Sequence, residues 1–202
     1  MFFIQKLIYN ICNFPVSVRN VKFQDGTINV IIGKNSSGKT SFCEALASCA
    51  QGNDVFVNRH KMNAKDFIYF NSNSPSFFGI NGYELLRNYG GNAKPEQIHE
   101  LINTFSLPYN NLIDTYSFSM KKLIQFMWLL TYERKLYLFD DLFASLDEEN
   151  MLKIKGLLKQ LKESGKIVLI TTSSLELVED IANDVYDIVN GYLKPHTPTV
   201  II

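Results

Sequence analysis

Residues 28–40 read Ile28-Asn29-Val30-Ile31-Ile32-Gly33-Lys34-Asn35-Ser36-Ser37-Gly38-Lys39-Thr40, a largely apolar run that ends on a complete GxxxxGK[ST] loop. The stretch after it, Ser41-Phe42-Cys43-Glu44-Ala45-Leu46-Ala47, has helical character. The loop therefore sits between a strand and a helix, the context its chemistry requires. Glycines at 33 and 38 let the main chain curl until its N–H groups face phosphate oxygens, and the following helix turns its positive end to the same place. Gly33, Lys34, Asn35, Ser36, Ser37, Gly38, Lys39, Thr40 and Ser41 are read as the nucleotide-binding segment. Lys39 is expected to reach the β- and γ-phosphates, and Thr40 to offer its hydroxyl to Mg²⁺. A Gly/Ser-rich surface turn is the bland alternative for the same letters.

In the second half, Leu136-Tyr137-Leu138-Phe139-Asp140-Asp141 is an apolar strand ending in paired carboxylates. A parallel sheet delivers a metal-holding Asp to its carboxyl edge in this way. Asp140 is read as that carboxylate, with Thr40 as its partner on the metal. Without the loop, Asp140 and Asp141 would simply start a turn after a buried strand.

The 202 residues, 46% of them hydrophobic, fit one α/β domain with a small helical insert. Lys+Arg and Asp+Glu both number 20, so charge implies no nucleic-acid partner. Cys12, Cys43 and Cys49 are scattered and form no CxxC, which points to reduced thiols in a cytoplasm rather than a disulfide framework or a zinc site. The apolar start is broken by Gln5, Lys6 and Asn10 and reads as a strand, not a secretion signal. No uninterrupted apolar run approaches the roughly 20 residues that cross a bilayer.

Met1–Phe23 is expected to be β-rich, with Gln24-Asp25-Gly26-Thr27 turning into the loop-bearing strand. Short strands are predicted at Asp54–Val57 and Asp66–Phe70, followed by a loop at Asn71–Ser76. Helices are predicted over Asn81–Tyr89, Pro95–Phe105, Ser119–Thr131, Glu148–Glu163 and Leu175–Asn183, and strands at Leu136–Phe139, Ile167–Thr171 and, last, Val185–Val189. The alternation implies a mostly parallel sheet flanked by helices.

With Tyr116-Ser117-Phe118-Ser119-Met120-Lys121-Lys122 before the carboxylate strand and Ala144-Ser145-Leu146-Asp147 after it, the chain resembles the ATP-binding cassette (ABC) ATPases. The resemblance runs from about Asn20 to Leu193. It implies a single P-loop domain of ABC type: residues 1–70 and 132–202 form the core with an N-terminal antiparallel β region, and 71–131 a helical subdomain with the signature segment. It also implies that Ser117 and Ser119 belong to a signature facing the partner's nucleotide, and that Ser145, Leu146 and Asp147 form the loop that communicates across an ATP-sandwich dimer. Read alone, Ser117 or Ser119 is equally a plain helix N-cap.

Departures from the family pattern fall on catalytic positions. Phe118 and Ser119 replace two glycines, Asp141 stands where the family has a general-base Glu, and Ser173 and Ser174 stand where a switch His belongs. Asn71–Ser76 contains no glutamine. Asp141 is shorter than Glu by one bond of about 1.5 Å, and serine carries no protonatable imidazole. Together these point to weakened hydrolysis. Tyr9 and Phe14 are the candidates for stacking on adenine, and Phe77, Phe78, Tyr83 and Tyr89 for docking or for the core of the insert. The expected function is an ATPase subunit on the cytoplasmic face of a membrane, using ATP and Mg²⁺ and working with an integral membrane permease and a second ATPase subunit. Two other readings are a mainly ATP-binding half-site beside a competent ATPase, and a soluble ABC-type ATPase of DNA repair or phage defence.

Overall fold

In the computed structural model, which describes residues 1–11, 14–48, 54–57, 60–71 and 77–197, the chain begins with β1 (Phe2–Ile11), β2 (Phe14–Phe23) and β3 (Thr27–Ile32), then α1 (Lys39–Ala47). There follow β4 (Asp54–Val57), β5 (His60–Lys61), β6 (Phe67–Asn71), α2 (Gly82–Asn88), α3 (Pro95–Thr104) and α4 (Phe118–Leu130). The rest is β7 (Leu136–Asp140), α5 (Glu148–Glu163), β8 (Ile167–Thr172), β9 (Asp184–Val189) and β10 (Tyr192–Pro195).

Six strands form one sheet in the order β10-β9-β3-β8-β7-β6, parallel except for the β10–β9 pair. Its inner strands are apolar on both faces because both faces are covered. Along β7, Tyr137 and Phe139 enter one core while Leu136 and Leu138 enter the other; along β8, Val168 and Ile170 are set against Ile167 and Leu169 in the same alternation. One core takes in α4, α5 and the helical insert as a continuous cluster. The other is closed by α1 and by an antiparallel sheet of order β2-β1-β4-β5.

Helix ends follow local chemistry. Asn81 caps α2 by accepting from the Glu84 N–H, while Glu84 accepts from the Asn81 N–H, a reciprocal box that satisfies two otherwise unpaired donors. Pro95 occupies the first turn of α3, where its missing N–H costs nothing. Asp147 caps α5 through the Asn150 N–H.

Two expectations fail at the C-terminal side. The helix foreseen over Leu175–Asn183 is only a 3₁₀ turn at Leu175–Leu177. Val178 and Ile181 are buried there, and Asn183 is committed to β3 instead, exchanging main-chain and side-chain bonds with Ile28 at 2.8 and 3.0 Å. The final strand is not Val185–Val189 but β10. Asn190 (φ +49) and Gly191 (φ +80) turn the chain back on itself, as an Asn-Gly pair in a two-residue hairpin does.

Gly191 also reaches the phosphate loop: its N–H donates to Ser37 O at 3.3 Å, and its carbonyl accepts from the Tyr9 hydroxyl at 2.6 Å. A Cβ there would stand 2.7 Å from both Val16 Cγ2 and Ile11 Cδ1. Gly191→Ala is therefore expected to destabilise the domain by about 1–3 kcal/mol through the positive φ and the crowding together. Urea unfolding measures it, and an unchanged midpoint would contradict this packing.

Candidate nucleotide-binding site

Strand register assembles the site. Ile31 pairs with Thr171, Thr171 with Asp140, and Asp140 with Asn71, so four strands reach the carboxyl edge of the sheet at one level. The phosphate loop leaves β3 at that edge. Gly33 N–H donates to Thr172 O at 3.2 Å, and Ser37 N–H closes a turn onto Lys34 O at 3.1 Å. Any side chain at 33 would meet the Ser37 hydroxyl and stand 2.9 Å from Ile188 O, so glycine is required for this close approach. Ser36 (φ +63) and Gly38 (φ +100) complete the curl. No side chain caps the start of α1 and no acidic residue lies in its first turn, which leaves a positive helix end facing outward.

The loop opens on a cleft of about 430 Å³ lined by Ile11, Asn35, Ser36, Gly38, Lys39, Thr40, Ser41, Asp140, Asp141 and Ser173. Three segments foreseen as parts of one site, through residues 35, 36 and 38–41, 140–141 and 173, thus meet in one place. Lys39 Nζ donates to the carbonyls of Gly33 at 2.8 Å and Lys34 at 3.0 Å. Burial lowers the Lys39 pKa, and the nearby Asp141 and Asp140 oppose that shift. Asp140 is buried, and its Oδ1 accepts from the Thr171 hydroxyl at 2.5 Å. Asp141 takes a left-handed backbone, φ +50, with its N–H on Thr171 O at 3.1 Å.

Other predicted residues lie outside the cleft lining. Gly33, Lys34 and Ser37 contribute main-chain groups to the loop's own bonding. Ser117 caps α4, accepting from Met120 N–H at 3.3 Å and lying 3.2 Å from the Ser119 hydroxyl. Phe118 is 60% exposed beside them. Leu146 packs on the larger core. Ser145 holds φ +64, and hydrogen bonds from Asn150 keep the Asp147 carboxyl below its usual pKa.

Tyr9 is not placed to stack on a base: it is buried edge-on against Phe42, 6.1 Å between centroids, with its hydroxyl on Gly191 O. The side chain of Phe14, residues 72–76, Cys12 and Cys49 lie outside the described residues, and Cys43 is buried and unbridged. Phe77 packs against Trp128 at 5.2 Å, whereas Phe78, Tyr83 and Tyr89 are exposed.

Sequence reasoning missed Ile11, which lines the cleft, and Thr171, which orients Asp140. It also assigned no role to Lys122 and Gln125. The signal for the last two was present: they are polar residues three apart on a helix whose neighbours Leu123, Ile124, Phe126 and Met127 are buried.

A phosphate loop at the carboxyl edge of a mostly parallel sheet, with an antiparallel β region on one side and a helical insert on the other, defines a P-loop nucleotide-binding domain. Residues 16–144 match the family model for ABC transporter, and the chain belongs to that family, as one of its ATP-hydrolysing subunits. It is similar to the cytochrome c biogenesis ATP-binding export protein CcmA of Reclinomonas americana, 27% identical over 175 residues that cover 78% of each chain. Its fold is shared with a structure described as the ATP binding subunit of an ABC transporter, TM-score 0.82 at 18% identity over 98% of this chain and 90% of that one. It is shared also with a dimeric post-hydrolysis state of the ATP-binding cassette MJ0796 bound to ADP and Pi, TM-score 0.76 at 17% identity over 98% of both. No helix among the described residues is long and apolar enough to cross a membrane.

Thr171→Val keeps the shape but removes the hydroxyl that orients Asp140. Such a supporting contact is worth about 10- to 100-fold in activity, so hydrolysis is expected to fall by that factor while ATP affinity stays within about twofold. Steady-state phosphate release and equilibrium nucleotide binding check the two halves separately.

Proposed function

We propose that this chain is the nucleotide-binding subunit of a transporter whose membrane permease is a separate chain, and that ATP-driven closure of a subunit pair moves that permease. The observation that carries the reading is the convergence of Asn35, Ser36, residues 38–41, Asp140, Asp141 and Ser173 on one cleft. Main-chain N–H groups of the phosphate loop and Lys39 would hold the triphosphate, with Lys39 released from its own loop carbonyls. Ser117 and Ser119, exposed or half-exposed at the start of α4, would face the nucleotide of the second subunit, with Ser145, Leu146 and Asp147 beside the same interface. Exposed Phe78, Tyr83 and Tyr89 supply an aromatic surface on the helical insert for the permease. The place of work would be the cytoplasmic face of a membrane.

Thr40 and Asp140 are the residues that would hold Mg²⁺. Both are hard oxygen donors lining the cleft, and no cluster of three or more His, Cys, Asp or Glu occurs among the described residues. That donor set suits an ion retaining water and substrate phosphates rather than one in an all-protein cage. When bound, the ion neutralises charge on the β- and γ-oxygens.

Asp141 would act as the base: its carboxylate takes the proton of the attacking water as the water oxygen bonds to the γ-phosphorus and ADP leaves. Its short side chain, and Ser173 in place of an imidazole, support attenuated turnover. A misplacement of about 1 Å costs roughly a hundredfold. A second reading, an ATP-binding half-site paired with a more competent subunit, is favoured by the same substitutions beside a complete phosphate loop.

Single-turnover hydrolysis by the isolated chain and by Asp141→Asn separates them. The transporter-ATPase reading expects slow but measurable turnover that drops at least about tenfold in the variant. Equal, near-background rates in both would favour the half-site.

A further inference from the structure

Lys122 is buried on α4, 4% exposed, one turn beyond the Ser117–Ser119 segment. A buried ammonium persists only where partners replace its water. Here Nζ donates to Asp141 O at 2.7 Å and to Ala144 O at 2.8 Å, with the Phe70 ring centroid 6.0 Å away. The two carbonyls bracket the turn that follows β7. The start of that turn is held by the Asp141 N–H on Thr171 O at 3.1 Å, while its internal bond is long, Ala144 N–H reaching Asp141 O at 3.4 Å. It also carries left-handed backbones at Asp141, φ +50, and at the next residue out, Ser145, φ +64. Side-chain-bearing residues hold such conformations when their surroundings over-determine them. Lys122 supplies the short, charge-assisted contacts that do so. One turn along, Gln125 Nε2 donates to Asn71 O at 3.2 Å, so one buried face of α4 grips the ends of both β6 and β7.

We propose that Lys122 is a positioning residue for hydrolysis: by clamping the carbonyls of Asp141 and Ala144 it fixes the backbone from which the Asp141 carboxylate meets the cleft, without itself touching nucleotide. Lys122 is not among the residues lining the cleft. The proposal rests on reading Asp141 as the base. A carboxylate one bond shorter than Glu leaves less reach to correct a loose backbone, which makes the clamp more consequential here.

The test measures kcat, KM and equilibrium ATP affinity for Lys122→Met, Lys122→Gln, Asp141→Asn and the Lys122→Met/Asp141→Asn pair, with circular dichroism to verify folding. The expected result is a fall in kcat of at least about tenfold in Lys122→Met and a smaller fall in Lys122→Gln, which keeps a donor. KM and ATP affinity should stay within about twofold, and Lys122→Met should cause little further loss on top of Asp141→Asn. Unchanged kcat in Lys122→Met, a parallel loss of ATP affinity, additive losses in the pair, or failure of both Lys122 variants to fold would overturn the proposal. Full turnover by Asp141→Asn alone would overturn the reading of Asp141 and the clamp with it, whereas a crippled Asp141→Asn beside an unaffected Lys122→Met would overturn the clamp alone.

Discussion

The structure depends on one constraint: the main chain between Gly33 and Gly38 must curl tightly while staying welded to the sheet edge. The weld is visible in the Gly33 N–H bond to Thr172 O and in the Gly191 N–H bond to Ser37 O. The curl is visible in the positive φ of Ser36 and Gly38 and in the lack of room for a Cβ at Gly33. Strand β3 lies inside the sheet, between β8 and β9, so the loop inherits the rigidity of both cores. A site on such a frame meets its ligand with little ordering left to do.

The second half of the site reaches the loop by strand register rather than by sequence proximity. Thr171 is the pivot: its hydroxyl donates to Asp140 and its carbonyl accepts from the Asp141 N–H, so β8 sets both carboxylate-bearing residues of the β7 edge. Lys122 then holds the far side of the same turn. The backbone geometry of the Asp140–Asp141 edge is thus set by three packed elements, β7, β8 and α4.

The phosphate loop, the carboxylate strand and the parallel sheet were legible because each is local: a glycine-lysine pattern between an apolar run and a helix, or four apolar residues before two acids. Residues 35, 36, 38–41, 140, 141 and 173 were grouped in sequence and meet in space. What was not legible depends on distant contacts. The helix foreseen at 175–183 lost to the bonds between Asn183 and Ile28. Strand β10 was signalled by Asn190-Gly191, a pattern that had gone unread. Tyr9 reads as a candidate for stacking on adenine only until the Gly191 carbonyl is found opposite its hydroxyl. The dimer-facing roles proposed for Ser117, Ser119 and Asp147 rest on family resemblance, since in one subunit Ser117 and Asp147 cap helices and Ser119 lies beside the Ser117 hydroxyl.

The most direct test of the central claim is a calorimetric titration of the folded chain with Mg-ATP, repeated on Lys39→Ala. The account predicts saturable binding at one site per chain, weakened at least about tenfold in the variant, a loss of roughly 1.4 kcal/mol or more. Absence of binding heat in the unmodified chain, or equal affinity in the two proteins, would contradict it.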